Sequence, residues 1–224
     1  MNIEITADGS PTLYLPELDE HYHSTKGALA EARHIFVEMG LHHSPAACPR
    51  VLEIGFGTGL NAFLTLLDAD ARQCPVCYTG LELHPLTSDC LHALDYPSLI
   101  CPERAADYYR MHDAPWEVEV QVTPFFSLRK SQVDFTVWEP GQAFDVIYFD
   151  AFAPEKQPEM WSRSLFDGLY ASLSEGGVLT TYCAKGVVRR MLQTAGFHVE
   201  RLPGPPGGKR EILRGTKSSL SGRG

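Results

Sequence analysis

Apolar and polar positions alternate along the chain on two different periods. Short apolar or β-branched runs fall at residues 50–54, 77–83, 117–122, 144–149 and 177–182, and stretches with helical spacing lie between them at 60–67, 159–173 and 187–195. Strand-type runs separated by helix-type runs predict parallel strands joined by crossover helices. The implied architecture is an open, doubly wound, mostly parallel α/β sheet of Rossmann-like form. After Gly196, runs at 197–202 and 210–215 flank the turn-rich segment Pro203-Gly-Pro-Pro-Gly-Gly208 and predict an antiparallel hairpin at the end of the chain. Ahead of the first core strand, Leu29, Ala32, Ile35, Phe36 and Met39 share one helical face, with Ser24 or Thr25 as the expected cap. This helix stands where a lid could form.

A chain of 224 residues suits one domain, expected over residues 1–216, with the Ser/Gly-rich stretch 217–224 as a disordered tail. No apolar run approaches the roughly 20 residues that span a bilayer. The N-terminal MNIEITADGS lacks the basic-then-apolar pattern of a secretory signal, so the expected setting is the cytoplasm. There the six cysteines are expected to be thiols. Cys74 and Cys77 have a suggestive spacing, but His84, Cys90 and His92 supply no familiar second ligand pair. No metal is expected, and Cys77 reads as entering a buried strand.

The net charge of −9 argues against a general nucleic-acid binder. It is unevenly spread, because residues 185–224 hold nine Lys/Arg against two acids, a net of +7 on a body carrying −16. Such a region, Lys209 and Arg210 included, either faces phosphates or is a solvated surface.

Ligands of open α/β sheets bind beyond the carboxyl ends of the strands, so the loop after the first core strand is the first place for chemistry. It reads Val51-Leu-Glu53-Ile-Gly55-Phe-Gly57-Thr-Gly59-Leu-Asn61. Glycines at alternating positions let the backbone turn sharply and approach a ligand, and Leu60 starts a helix whose amides could meet a carboxylate. The dinucleotide pattern G-x-G-x-x-G would need glycine at Leu60, and the phosphate-loop G-K-[ST] is absent. What remains is E-x-G-x-G-x-G, the pattern of class I methyltransferases that use S-adenosyl-L-methionine. Glu53 would answer the positive end of that cofactor, with Gly55, Gly57, Gly59 and Asn61 lining it. At the end of the next strand Glu82 stands where ribose hydroxyls would lie.

The run at 144–149 is followed by Asp150-Ala-Phe152-Ala-Pro154-Glu-Lys-Gln-Pro158-Glu-Met-Trp161. Asp150 lies just past a strand and opposite the glycine loop. Methyl transfer from a sulfonium needs alignment and an unprotonated nucleophile. Asp150 could therefore bind an ammonium, orient it and take its proton, while Phe152 and Trp161 could stack on a planar substrate.

Together these segments resemble the methyltransferase domain of the bacterial bifunctional tRNA 5-methylaminomethyl-2-thiouridine biosynthesis proteins and their standalone relatives. The matching pieces are YHSTKGALAEARHIF at 22–36, residues 53–61 and 150–161, Gly176-Gly177, Val188-Arg189-Arg190, Ala195-Gly196-Phe197 and Lys209-Arg210-Glu211. The resemblance implies methylation of an aminomethyl group on the wobble uridine of tRNA, with Asp150, Phe152 and Pro154 facing the amine and the basic C-terminal region facing the tRNA. It also implies an acidic residue after the third strand, near the adenine, where this chain reads Val122-Thr-Pro-Phe125-Phe126 and leaves Phe125 to stack on the ring. Gln157 replaces the usual asparagine. With no second dinucleotide motif for the oxidoreductase half, an upstream enzyme is expected to deliver the aminomethyl substrate.

Three rivals remain. A small-molecule amine methyltransferase suits the acidic body. A polyamine aminopropyltransferase shares the acid at Glu82, but its paired-aspartate loop is not found. A catalytically dead binding protein would have little use for Asp150 beside an intact cradle.

Overall fold

The computed structural model describes residues 2–218. Three short strands open the chain, β1 (Asn2–Ile5), β2 (Pro11–Leu15) and β3 (Glu20–His21), forming a small antiparallel sheet of their own. Helix α1 (Ala28–Ala32) follows and widens into a π turn at Arg33–Glu38. Then come β4 (Arg50–Ile54), α2 (Leu60–Arg72), β5 (Val76–Glu82), α3 (Ser88–Leu94), α4 (Tyr96–Ile100) and α5 (Ala105–Asp113). The rest is β6 (Glu119–Thr123), β7 (Phe126–Gln132), β8 (Phe144–Phe149), α6 (Arg163–Ser172), β9 (Leu173–Thr181), α7 (Gly186–Ala195), β10 (His198–Pro203) and β11 (Glu211–Thr216).

Among the described residues the main sheet has eight strands in the order β10-β11-β9-β8-β4-β5-β7-β6. The inner five, β9-β8-β4-β5-β7, are parallel, as the alternating pattern predicts. β10 and β11 pair antiparallel as the closing hairpin, six residues against six. The chain leaves β4 in one direction to β5 and β7 and in the other to β8 and β9, so the strand order reverses at β4/β8 and opens a crevice at their carboxyl ends.

Each face of the sheet buries its own apolar cluster. Phe36, Val51, Phe63, Leu66, Tyr108 and Val146 pack on the face covered by α1, α2 and α5, while Leu52, Ile147, Phe149, Phe166, Leu192 and Leu213 pack on the face covered by α6 and α7. A helix holds this position when its apolar spacing gives one buried stripe, and full burial of a side chain such as Phe63 contributes roughly 1.5–3 kcal/mol.

Four expectations are corrected. The run at 117–122 is not a parallel strand: it becomes the antiparallel edge strand β6, and the parallel strand is β7, whose sequence FSLRKSQ hides a fully buried Lys130. Lys130 Nζ donates to the carbonyl of His112 and lies 4.7 Å from the Trp116 ring centroid, which compensates a charge that pattern reading assigns to solvent. Neither Ser24 nor Thr25 caps α1. Its first amides go instead to side chains of the β1–β2 turn, Ala28 N–H to Ser10 Oγ at 3.1 Å and Ala30 N–H to Asp8 Oδ2 at 2.9 Å. Cys77 lies on β5 but is exposed. Finally, the expected helical lid is shared with non-helical chain: α1 packs into the core with Glu31 and Ala32 lining the crevice, and residues between 17 and 25 line it beside them, Tyr22 and His23 in both cavities.

Lys217 is tied back by N–H and C=O bonds to Gly177 and Gly176, and the rest of the expected tail, 219–224, lies outside the described residues. No helix among the described residues is long and apolar enough to cross a membrane.

Candidate active site

The crevice at β4/β8 divides into two cavities that share Tyr22, His23, Asp150, Ala151 and Phe152. One, of about 520 Å³, runs over the glycine loop and is walled by Ile54, Leu60, Leu81 and Phe135. The other, of about 610 Å³, is walled by Glu31, Phe36, Pro154, Tyr182, Lys209 and Arg210.

The glycine loop is bent where a side chain would not fit. Gly55 has φ +89°, and a Cβ there would meet the Asp150 carbonyl oxygen at 2.9 Å; Gly57 has φ +49°, and its Cβ would meet the Tyr22 ring at 3.0 Å. The loop is pinned from outside. Tyr108 Oη donates to Thr58 O at 2.8 Å, and His112 Nε2 donates to the same oxygen at 3.2 Å. Burial and the neighbouring Lys130 pull His112 down to about 3, so it stays neutral and its proton sits on Nε2. His23, pulled down to about 4 by burial and by Lys209, holds Thr58 Oγ1 at 3.0 Å. Sequence reasoning passed over His23, Thr58 and His112; His23 and Thr58 lay within recognised motifs, and His112 lay in none.

Glu82 stands at the end of β5 as expected, its Oε2 accepting from Gly57 N–H at 2.8 Å and its Oε1 from His84 N–H at 2.8 Å. Two backbone donors fix the carboxylate at the rim of the glycine-loop cavity. Asp134 lines the same cavity just past β7, with Oδ1 accepting from Thr136 N–H and Oγ1. This is the acid after the third parallel strand that appeared to be absent when β6 was read as that strand. Phe125 is correspondingly ruled out as a ring platform: it lies at the start of β7, bonded through its carbonyl to Val76 N–H, at the opposite end of the sheet.

Glu53 lies deeper than the motif implies: it is fully buried and is not among the residues that line either cavity. Its Oε1 accepts from Asn61 Nδ2 at 2.8 Å, and the same Nδ2 donates to Asp150 Oδ2 at 2.8 Å. Burial pushes the Glu53 carboxyl well above the usual carboxylate range. Asn61, at the start of α2, thus holds a buried acid on one side and the cavity acid on the other.

Asp150 touches both cavities. Burial raises its carboxyl to about 7, with the charge of Glu31 adding to the rise; the Asn61 hydrogen bond and Lys209 oppose it. A carboxylate poised near neutrality at the junction of two cavities is equipped to exchange a proton with a group held in either. Phe152 lies beside it, edge-to-face with Tyr22 at 5.2 Å between centroids.

Pro154 and Arg210 line the larger cavity, Arg210 exposed at its mouth. Lys209 also lines it, its side chain 36% exposed and bonded to Glu31 Oε1 at 2.7 Å. Trp161 is corrected outright, since it is 5% exposed, packs on Phe149 and donates its Nε1–H to Phe152 O at 2.8 Å. It supports the loop from beneath and offers no surface to a substrate. Among the described residues no group of three or more His, Cys, Asp or Glu is arranged to hold a metal.

Residues 111–218 match the profile of a family described as S-adenosyl-L-methionine-dependent methyltransferase. The chain is 32% identical over 228 residues to the tRNA 5-methylaminomethyl-2-thiouridine biosynthesis bifunctional protein MnmC of Cupriavidus metallidurans, which covers 93% of this chain and 32% of that protein. It is 34% identical over 214 residues to the protein of the same name in Cupriavidus necator, covering 89% and 32%. The chain therefore spans about a third of the length of these curated relatives. Among solved structures it is similar to MnmC2 from Aquifex aeolicus, with TM-score 0.72 and 25% identity over 98% of this chain and 71% of that one. It shares its fold with spermidine synthase from Thermotoga maritima, with TM-score 0.55 and 15% identity over 97% and 72%.

Proposed function

We propose that this chain, which matches the profile of the S-adenosyl-L-methionine-dependent methyltransferases over residues 111–218, methylates the amine of an aminomethyl group on the wobble uridine of tRNA, in the cytoplasm. The observation that carries the reading is Asp150, shared by two cavities and poised near neutrality.

The smaller cavity suits the cofactor. Its apolar walls fit an adenine, Glu82 and Asp134 offer acceptors for hydroxyl and amino groups, and the backbone at Gly55 and Gly57 lies close enough that a side chain would obstruct it. The bound cofactor supplies an electrophilic methyl on a sulfonium.

The larger cavity then takes the amine. An aminomethyl group arrives as an ammonium, which cannot attack because its nitrogen has no free electron pair. Asp150 in its ionised form binds that ammonium and accepts one proton from it. The freed amine would then be the nucleophile for the methyl that the bound cofactor supplies, with Asp150 holding the released proton. Asn61, bonded to Asp150, fixes the direction in which the carboxylate points. Arg210 at the mouth is available to a tRNA phosphate, and an upstream tRNA-modifying enzyme would expose the amine.

Nucleoside mass spectrometry of tRNA from cells lacking the gene tests the reading. Accumulation of the aminomethyl nucleoside is expected, and unchanged tRNA would overturn it.

A further inference from the structure

The larger cavity contains a second carboxylate that the reaction above does not use. Glu31, on α1, has a side chain only 10% exposed. Its Oε1 accepts from Lys209 Nζ at 2.7 Å, and its Oε2 is buried with no hydrogen-bond partner among the described residues. The same Nζ lies 4.1 Å from the centroid of the Tyr182 ring. Tyr182 Oη donates to Ala151 O at 2.8 Å, which keeps that ring beside the residue after Asp150. Glu31, Lys209, Tyr182 and Asp150 line one cavity, and the charges of Glu31 and Lys209 both reach Asp150.

A carboxylate plus an aromatic face is a site for a cation. A buried carboxylate left unpaired is costly, so some cation must hold Glu31 whenever it is ionised. Lys209 supplies one, from the Gly/Pro-rich loop between β10 and β11. Chemically its end is CH2–NH3+, the same group as a protonated aminomethyl substituent. We propose that Glu31 and the Tyr182 ring form the ammonium subsite for the substrate amine, and that Lys209 fills this subsite until the substrate displaces it. The proposal rests on the amine-methylation reading and deepens it by naming what selects an amine. A hydroxymethyl analogue carries no positive charge to offer Glu31 and would not dislodge Lys209. The displaced lysine lowers the apparent affinity for free amine, since only the fraction of molecules with an open subsite can bind.

The test uses n-butylammonium as a probe, titrated by NMR into the full chain loaded with S-adenosyl-L-homocysteine. Lys209→Met is expected to bind the probe about tenfold more tightly than the native protein, and Glu31→Gln in that background to abolish the gain, since a charge-assisted bond is worth roughly that factor or more. In turnover on aminomethyl-containing tRNA, Lys209→Met should lower KM, whereas Glu31→Gln should raise it with a smaller change in kcat. A damaged fold would not lower KM, and Lys209→Gln replaces the methionine variant if that one melts early. The subsite is overturned if Lys209→Met binds the probe no better than native protein, or if the gain survives Glu31→Gln. A raised KM in Lys209→Met with unchanged probe affinity also overturns it and makes Lys209 a phosphate contact. Should native protein fail to methylate the tRNA while the probe pattern holds, the tRNA reading falls and the amine subsite stands.

Discussion

Asp150 sits among groups that pull its proton affinity in opposite directions. Burial and Glu31 raise it, Asn61 and Lys209 lower it, and the result is about 7. If the ionised form takes the amine's proton, kcat for methyl transfer should climb about tenfold per pH unit below 7 and level off above it. Asp150→Ala should lower single-turnover methylation on the order of 10²-fold or more while the affinity for S-adenosyl-L-methionine, measured by calorimetry, stays near native. A stable alanine variant with near-normal turnover would remove Asp150 from the chemistry. The same shift makes a statement about stability. Folding raises the carboxyl from 3.8 to about 7, so the folded state holds the proton more tightly. No penalty exists below pH 3.8; it grows between the two values and is complete above 7, where it amounts to at most about 4 kcal/mol, reduced by partial solvent contact. Asp150→Asn should therefore melt higher than native protein at pH 8 and lose that advantage at pH 4. Equal differences at both pH values would mean that the carboxyl is not raised.

At the scale of elements, the glycine loop is held by parts that sequence pattern does not connect. β4 and β8 matched their apolar runs residue for residue, because strands buried on both faces announce themselves in composition. β7 did not, because Lys130 is buried by a carbonyl and an indole ring brought to it from α5 and residue 116, a tertiary fact with no local trace. Misplacing that one strand also hid Asp134 and wrongly nominated Phe125. Glu53 was legible as a motif residue but not as a buried one, since depth within a strand end depends on what covers it. Gly57 shows the same coupling between loop and cover. A valine there must adopt φ near +49° and push into Tyr22, so Gly57→Val should abolish S-adenosyl-L-methionine binding in a protein that still melts cooperatively. Native-like affinity by calorimetry would detach the loop from the cofactor site.

For the molecule as a whole, the proposed tRNA substrate requires a chain of net charge −9 to approach a polyanion. Long-range attraction to the body is excluded by its sign, so binding of tRNA would rely on short-range contacts from the basic segment 185–224, screened over about 8 Å at physiological salt. Not every basic residue there is available. Lys209 is committed to Glu31 within the cavity, Arg214 is paired with Glu200, and Lys217 is bonded to carbonyls of residues 170–173. Arg210 is different: it is exposed and lines the cavity proposed to take the substrate amine. If it meets one phosphate, Arg210→Glu should weaken tRNA binding and reduce the slope of log affinity against log salt by about 1, with cofactor affinity unchanged. Filter binding across a salt series measures both quantities. A lower affinity with an unchanged slope would mean that the substitution acts through the cavity and not through a phosphate, and an unchanged affinity would leave Arg210 as solvated surface.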